Sequence, residues 1–254
     1  MSRPLVPPWA PGSLAQYLFS PRSIALVGAS GDPTRNTARP QQFLKRHGFQ
    51  GKVFPVNAMR REVFGERTWP LVADIADPVE HAFIMVASSQ VEEALLDCGR
   101  RGIPVATILS DGYSESGPEG VAAQQRLVAL ARKTGIRILG PNCIGLINPI
   151  DRVALTVNAA LNGETPRPGS VAVVSQSGSM LGTLLSRGQA RGVRFSRMVS
   201  VGNEADLAVG EITDLLVDDP DTRTILLFLE TLRDAPRLAQ AAHRARQAGK
   251  VIVA

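Results

Sequence analysis

The sequence predicts an α/β protein built as two successive parallel-sheet units, and three observations carry that expectation. Apolar, β-branched runs alternate with helical patterns from residue 23 to residue 140. The alternation dissolves into Pro, Gly and Asn between Pro141 and Pro168, and a second alternating series occupies residues 170–254. Strands that are apolar along their whole length, each followed by one helix, imply parallel sheets covered on both faces. The first half reads as a Rossmann-like open sheet.

The first unit, residues 14–145, has strands at 23–28, 52–57, 82–87, 104–110 and 137–140. Helices are expected at 40–47, 88–101 and 118–134, where apolar residues recur at helical spacing. Gly48, Gly102 and Gly135 follow them, glycine being the residue that most readily takes the left-handed backbone of a helix stop. Residues 146–168 read as a linker between units. In the second unit, residues 169–254, strands at 170–175, 195–201, 224–230 and 250–254 alternate with helices at 179–190, 206–217 and 235–248. The final apolar run, Val251-Ile-Val-Ala254, has no helix or cap after it, so the second unit is expected to be incomplete.

Composition narrows the function classes. An aromatic share of 5% argues against a base-stacking surface, and the +5 net charge is scattered along the chain rather than gathered in a stripe, so nucleic acid is not an expected partner. Pairs such as Arg60-Arg61 and Arg100-Arg101 read as solvated faces. Two cysteines and three histidines supply neither a disulfide framework nor a metal site. No apolar run approaches the ~20 residues of a membrane span. Residues 1–12 place Pro and Trp where a signal peptide needs an unbroken apolar core, so the expected location is the cytoplasm.

Two turns carry chemistry. Val171-Ala-Val-Val-Ser-Gln-Ser-Gly-Ser179 is an apolar strand that breaks at Ser175 into a small, polar helix start. Ser177, Gly178 and Ser179 there offer hydroxyls, unpaired backbone N–H groups and a positive dipole end, a combination suited to an anion. Earlier, the strand Ile24-Ala-Leu-Val27 runs into Gly28-Ala-Ser-Gly31, a phosphate-type turn. A dinucleotide fingerprint would lead straight into a helix, whereas Asp32-Pro33 here delays it and leaves a loop carrying Arg35 and Arg39. The second strand ends in Val56-Asn57 with Arg60 just beyond, where an NAD site would place an acidic residue for the ribose. NAD is therefore disfavoured and a ligand with extra phosphates preferred.

The stretches Pro21-Arg-Ser-Ile-Ala-Leu-Val-Gly-Ala-Ser30, Gly51-Lys-Val-Phe-Pro-Val-Asn57, Leu139-Gly-Pro-Asn-Cys143, Val174-Ser-Gln-Ser-Gly178 and Val201-Gly-Asn-Glu-Ala-Asp206 resemble, in this order, the NDP-forming acyl-CoA synthetases, relatives of the succinyl-CoA synthetase α subunit. The resemblance extends from Leu14 onward. It implies a Rossmann-like domain that binds coenzyme A through the loop Gly28, Ala29, Ser30, Gly31, Asp32 and Pro33. Arg35 and Arg60 would stand in for the family's lysines, beside Val56 and Asn57. Val86, Ala87 and Ser88, with Ser110, Asp111 and Gly112, would line the adenine and pantetheine path. Asn142 and Cys143 would lie near the thiol end, although Cys143 reads equally well as a small buried loop residue and is not assigned as a nucleophile, and Cys98, on an apolar helix face, reads as core.

The second domain resembles the flavodoxin-like ligase domain of that family. The resemblance implies that Ser177, Gly178 and Ser179 form a seat for a phosphohistidine, which Glu230 orients by fixing the imidazole tautomer. The family's histidine belongs to a Ser-His-Thr-Gly-like loop after the strand matched by residues 250–254; His47, His81 and His243 are expected to be ordinary surface residues. ATP and magnesium would enter only through an ATP-grasp domain, on a partner subunit or elsewhere in the protein, within an oligomer. Gly182 stands where the succinate-specific branch carries a tyrosine, which points to a different acid. The expected function is the CoA-binding and phosphate-handling part of an enzyme that joins an acid to CoA at the expense of ATP. The alternative is a non-catalytic CoA- or acyl-CoA-sensing module.

Overall fold

A computed structural model describes residues 12–254. The signal-peptide reading of residues 1–12 falls almost wholly outside that range. No helix among the described residues is long and apolar enough to cross a membrane.

Helix α1 (Leu14–Phe19), capped by the Ser13 hydroxyl, leads into a five-stranded parallel sheet. Its strands are β1 (Ser23–Val27), β2 (Lys52–Val56), β5 (His81–Ile84), β6 (Val105–Ile108) and β7 (Arg137–Leu139), in the spatial order β2-β1-β5-β6-β7. β1 is buried at every position, as a strand covered on both faces must be. Helices α2 (Arg39–Arg46), α3 (Ser88–Arg100) and α4 (Pro118–Thr134) make the crossovers. The α4 stop at Gly135 takes the left-handed backbone expected there. A short hairpin, β3 (Glu62–Val63) and β4 (Glu66–Arg67), occupies the connection from β2 to β5.

The stretch expected as a linker instead contains β8 (Gly145–Asn148) and β9 (Val153–Thr156), an antiparallel hairpin. Asn148 closes its turn by accepting the amides of Ile150 and Asp151 at 3.0 and 3.1 Å. Runs of four residues are too short to show a period, and they become strands because β11 offers them an edge. The second sheet contains β10 (Pro168–Ser175), β11 (Phe195–Ser200), β12 (Thr224–Phe228) and β13 (Val251–Val253), with α5 (Gly178–Ala190), α6 (Val209–Val217) and α7 (Ala235–Gln247) between them. The order is β13-β12-β10-β11-β8-β9; the first four strands are parallel and the hairpin makes the sheet mixed.

The hairpin joins the two units into one core. Leu18, Ile24 and Leu26 beneath the first sheet connect through Leu146, Val153 and Leu155 to Val174 and Val199 of the second. α2 packs on β9, and Phe43 shares a cluster with Ile147, Ala154, Leu161 and Leu181. At the opposite end from the strand tips, the fully buried Arg197 lies 3.6 Å from both Asp219 and Asp221 and 3.8 Å from Asp151. A charge this deep requires such partners.

Two histidines differ from expectation. His81 is not a surface residue; it opens β5 in the middle of the sheet and is fully buried. Its Nδ1 donates to the Tyr17 carbonyl at 3.0 Å, which leaves Nε2 to accept from the Thr107 hydroxyl at 2.8 Å. His47 is also buried, with Nδ1 2.9 Å from Thr165 Oγ1. His243 is exposed on α7, as expected.

In both sheets the second strand in sequence turns to one side of the first and the third to the other. That order opens a crevice at the carboxyl ends of β1 and β5, and another at those of β10 and β12.

Candidate functional site

The first corner forms where β1 ends. Gly28 has φ +87°, and a Cβ there would lie 3.0 Å from the Met85 carbonyl and from Val86 Cγ1. Only glycine permits the loop after β1 to lie directly against the loop after β5. The Gly28 amide donates to Val56 O at 2.9 Å, and Ala29 is buried. Asn57 pins both sides of the turn, donating to Ala29 O at 2.9 Å and accepting from Met59 N at 2.8 Å. Asn57 and the buried Val56 thus brace the corner.

The loop then closes on itself through Asp32. The Asp32 amide donates to Ser30 Oγ at 3.1 Å, the Thr34 amide and hydroxyl donate to Asp32 Oδ1 at 3.0 and 2.7 Å, and Arg35 N donates to Asp32 O at 3.1 Å. The Thr34 bonds hold the Asp32 carboxyl below its ordinary range. Within the loop 28–33 the Ala29 and Ser30 amides also donate to the protein itself, to Leu26 O at 3.3 Å and Thr37 O at 3.4 Å. Cationic side chains stand beside the loop. A Cβ on Gly31 would lie 3.3 Å from the Arg60 guanidinium, so Arg60 reaches across the loop. The β3–β4 hairpin holds Arg60 in place, with Thr68 donating through its hydroxyl to Arg60 O and through its amide to Arg61 O at 3.0 Å. Arg35 is exposed, with Nε 3.7 Å from Asp32.

The facing wall is the start of α3. Its N-cap is Ala87, which supplies no side-chain cap, so the first amides of the helix face outward beside Ser88. Ser110 Oγ donates to Val86 O, and a Cβ on Gly112 would lie 3.5 Å from Ser88 Oγ. Residues 86–88 and 110–112 therefore share one edge, with Asp111 exposed on it.

A single turn separates this corner from the second. Asn142 (φ +55°) donates its amide to Ser110 O at 2.8 Å, and Cys143 N donates to Ile108 O at 3.2 Å. The Cys143 thiol donates to Ser200 O at 2.9 Å and is fully buried, which pushes it up to about 12. Cys143 packs the seam and presents no surface to a ligand. Cys98 is core, as expected, its thiol also pushed up to about 12 by burial. On the far side of the turn Ile144 meets α5: a Cβ on Gly178 would lie 2.8 Å from Ile144 Cγ2.

The second corner is the start of α5. Ser177 caps the helix, its Oγ 3.4 Å from Met180 N and 3.1 Å from Ser179 Oγ, while Ser175 Oγ donates to Ser177 O at 2.7 Å. Glu230, just past β12, is exposed on the other side of the crevice. Sequence reasoning missed Gln176, whose carbonyl oxygen accepts the amides of Glu230 and, at 2.9 Å, Thr231. Its amide nitrogen donates to Glu204 Oε1 and to Thr231 O at 2.8 Å. The Ser-Gln-Ser-Gly quartet was visible, but which strand end its Gln would meet was not. At Gly182 an added Cβ would come within 2.6 Å of the Asn158 side-chain amide.

Polar contacts span the two units. Asn203 donates through its side chain to Glu115 and, at 3.1 Å, to Gln124 Oε1, while its amide donates to Pro141 O at 2.9 Å. Glu115 also accepts Gly112 N at 2.6 Å and Tyr113 N at 3.1 Å. Burial opposes its charge, yet these bonds hold the carboxyl below its usual range. Arg137 pairs with Asp206 at 2.9 Å and Glu211 at 2.8 Å, tying β7 to the loop before α6 and to the first turn of α6 itself.

Residues 22–149 match the family model described as CoA binding domain. The chain belongs to that family. Residues 168–254 match the model described as succinyl-CoA ligase like flavodoxin domain, so the CoA-binding domain is followed by a ligase domain, the arrangement of the NDP-forming acyl-CoA synthetases. The α subunit of acetate–CoA ligase [ADP-forming] II from Pyrococcus furiosus is 34% identical over 242 residues, covering 94% of this chain and 51% of that protein. A trans-feruloyl-CoA synthase from an unknown prokaryotic organism is 36% identical, covering 93% and 34%. The structure of Ca. Korarchaeum cryptofilum dinucleotide forming acetyl-coenzyme A synthetase 1 in complex with phosphate and ADP superposes with a TM-score of 0.87 at 32% identity, covering 94% of this chain and 51% of that one. The chain thus spans about half the length of the α subunit and of the solved synthetase. The Gly28 corner lies in the CoA-binding domain and the Ser177 corner in the ligase domain.

Proposed function

We propose that this chain is the CoA-holding and phosphoryl-handling part of an acyl-CoA synthetase that converts an acid, CoA and ATP to acyl-CoA, ADP and phosphate. One observation carries the reading: a basic crevice and a serine-capped helix start lie on opposite sides of the single turn 140–145. In the cycle, the γ-phosphoryl group of ATP reaches the acid as an acyl phosphate. The CoA thiol then attacks the acyl carbon, the thioester forms and phosphate leaves. ATP and magnesium are assigned to an ATP-grasp partner domain or subunit.

The CoA-binding domain fits the carrier. Arg60 and Arg35 supply cationic forks for its phosphates, and the open amides of α3 add a dipole end. The edge formed by residues 86–88 and 110–112 would guide the pantetheine arm toward the seam. Ser177, Gly178 and Ser179 offer the phosphoryl group unhindered donors, and Glu230 offers a carboxylate for a phosphohistidine. Because Gly182 packs on Asn158, acid selection is assigned to other residues.

Millimolar CoA is expected to raise the melting temperature, and Arg60→Ala to reduce that rise. No shift with the unaltered chain refutes the assignment.

A further inference from the structure

Three loop ends meet around the start of α5, at residues 176, 204 and 230, and one side chain joins them. Gln176, 9% exposed, uses its whole hydrogen-bonding capacity there. Its oxygen accepts the amides of Glu230 and Thr231, and its nitrogen donates to Thr231 O and Glu204 Oε1. Glu204 uses its other oxygen to accept Val209 N, the first amide of α6, at 2.9 Å. Glu204 also has φ +55°, a left-handed conformation that non-glycine residues adopt only where the surroundings enforce it. The enforcement is visible: Asn203 N and Ala205 N donate to Pro141 O and Gly140 O at 2.9 and 3.0 Å, so Glu204 is fixed from the seam between the two domains.

We infer that Gln176 and Glu204 are paired positioning residues that hold the Glu230 segment against the α5 start and thereby set the geometry of the phosphoryl seat. The inference rests on the seat proposed above. Neither residue touches the transferred group; each acts through the backbone it holds. The segment after β12 has left the sheet ladder, so the two amides that Gln176 accepts are what register Glu230 relative to Ser177 and Ser179. An apolar residue of similar size would fill the same space and leave those two amides, and one Glu204 oxygen, without their partners.

The test uses the full chain, with amide hydrogen exchange as readout and inorganic phosphate and CoA as probes. Gln176→Ala is expected to speed exchange at Glu230 and Thr231 by about tenfold, as befits the loss of hydrogen bonds of modest net worth. In the unaltered chain phosphate is expected to slow exchange at the amides of Gly178 and Ser179. Gln176→Ala should raise the phosphate concentration needed while leaving the CoA concentration that protects residues 28–33 unchanged. Gln176→Glu, which keeps the acceptor oxygen but sets a second carboxylate against Glu204, should weaken the phosphate response with a smaller gain in exchange at Glu230 and Thr231 than Gln176→Ala, and adding Glu204→Gln, which restores a donor–acceptor pair, should recover part of the phosphate response. Should Gln176→Ala not fold, Glu204→Gln alone carries the same expectations in weaker form.

Unchanged exchange at Glu230 and Thr231 overturns the inference, because the bonds then do not hold the segment. Faster exchange with an unchanged phosphate response also overturns it, reducing the pair to a structural role, as does an equal loss of CoA response. If phosphate has no effect on the unaltered chain, the seat itself is refuted, and the inference falls with it.

Discussion

Replacing Gly28 with alanine separates two costs that the structure predicts at the first corner. The backbone there has φ +87°, which disfavours any Cβ by about 1–2 kcal/mol. The added atom would also lie 3.0 Å from Met85 O and Val86 Cγ1, pressing the loop after β1 away from the loop after β5. Overpacking of this kind costs about 1–3 kcal/mol. Gly102 is the control: its φ is +65°, yet an added Cβ meets nothing within 4 Å. Gly102→Ala should therefore lose only the backbone contribution. The two variants should differ by about 2 kcal/mol, roughly 4–8 °C in Tm for a chain of this size. Urea titration and calorimetry measure the gap, and CoA titration measures its consequence. Gly28→Ala should weaken CoA by about tenfold or more, since a displaced Val86 carries residues 86–88 with it, and Gly102→Ala should not. Equal destabilisation by the two changes, or undiminished CoA affinity in Gly28→Ala, refutes the close approach of the two loops as the basis of the corner.

Two further outcomes follow from buried groups. Burial pushes His81 down to about 4, only partly offset by its bond to Tyr17 O, against an ordinary value of 6.5. The folded state binds the proton more weakly than the unfolded one, so the contribution of neutral His81 is fully present above pH 6.5 and is lost as pH falls toward 4. It amounts to something on the order of 3 kcal/mol. His81→Gln, which keeps one donor and one acceptor, should flatten unfolding free energy against pH in that window; an identical slope would refute the assignment. Cys143 should resist thiol reagents at pH 8 until the chain is unfolded, and Cys143→Ala should lower Tm while leaving CoA affinity unchanged. Rapid labelling in the native state, or loss of CoA binding, would return Cys143 to the ligand path.

The sequence by itself determined the α/β class, most of the helices and strands, and the two polar turns at Gly28 and Ser177. Each of these is local: a period of apolar residues, a glycine stop, or a cluster of small polar residues at a strand end, all readable within one stretch of chain. The motif resemblance likewise identified the family, because motif order survives in sequence. Tertiary structure alone decided which strand ends face one another. Strand order places the loops after β1 and β5, and those after β10 and β12, across common crevices, and no local pattern encodes that order. The residues 145–156 became a hairpin because β11 presented an unpaired edge, and Cys143 became packing because the hairpin and Ser200 enclosed it. His81 was buried by neighbours 64 and 26 residues away in sequence. Gln176 shows the division most plainly. The sequence places a glutamine there, but its role depends on amides 54 and 55 residues downstream, and hydrogen bonding at that separation is set by how the sheets assemble.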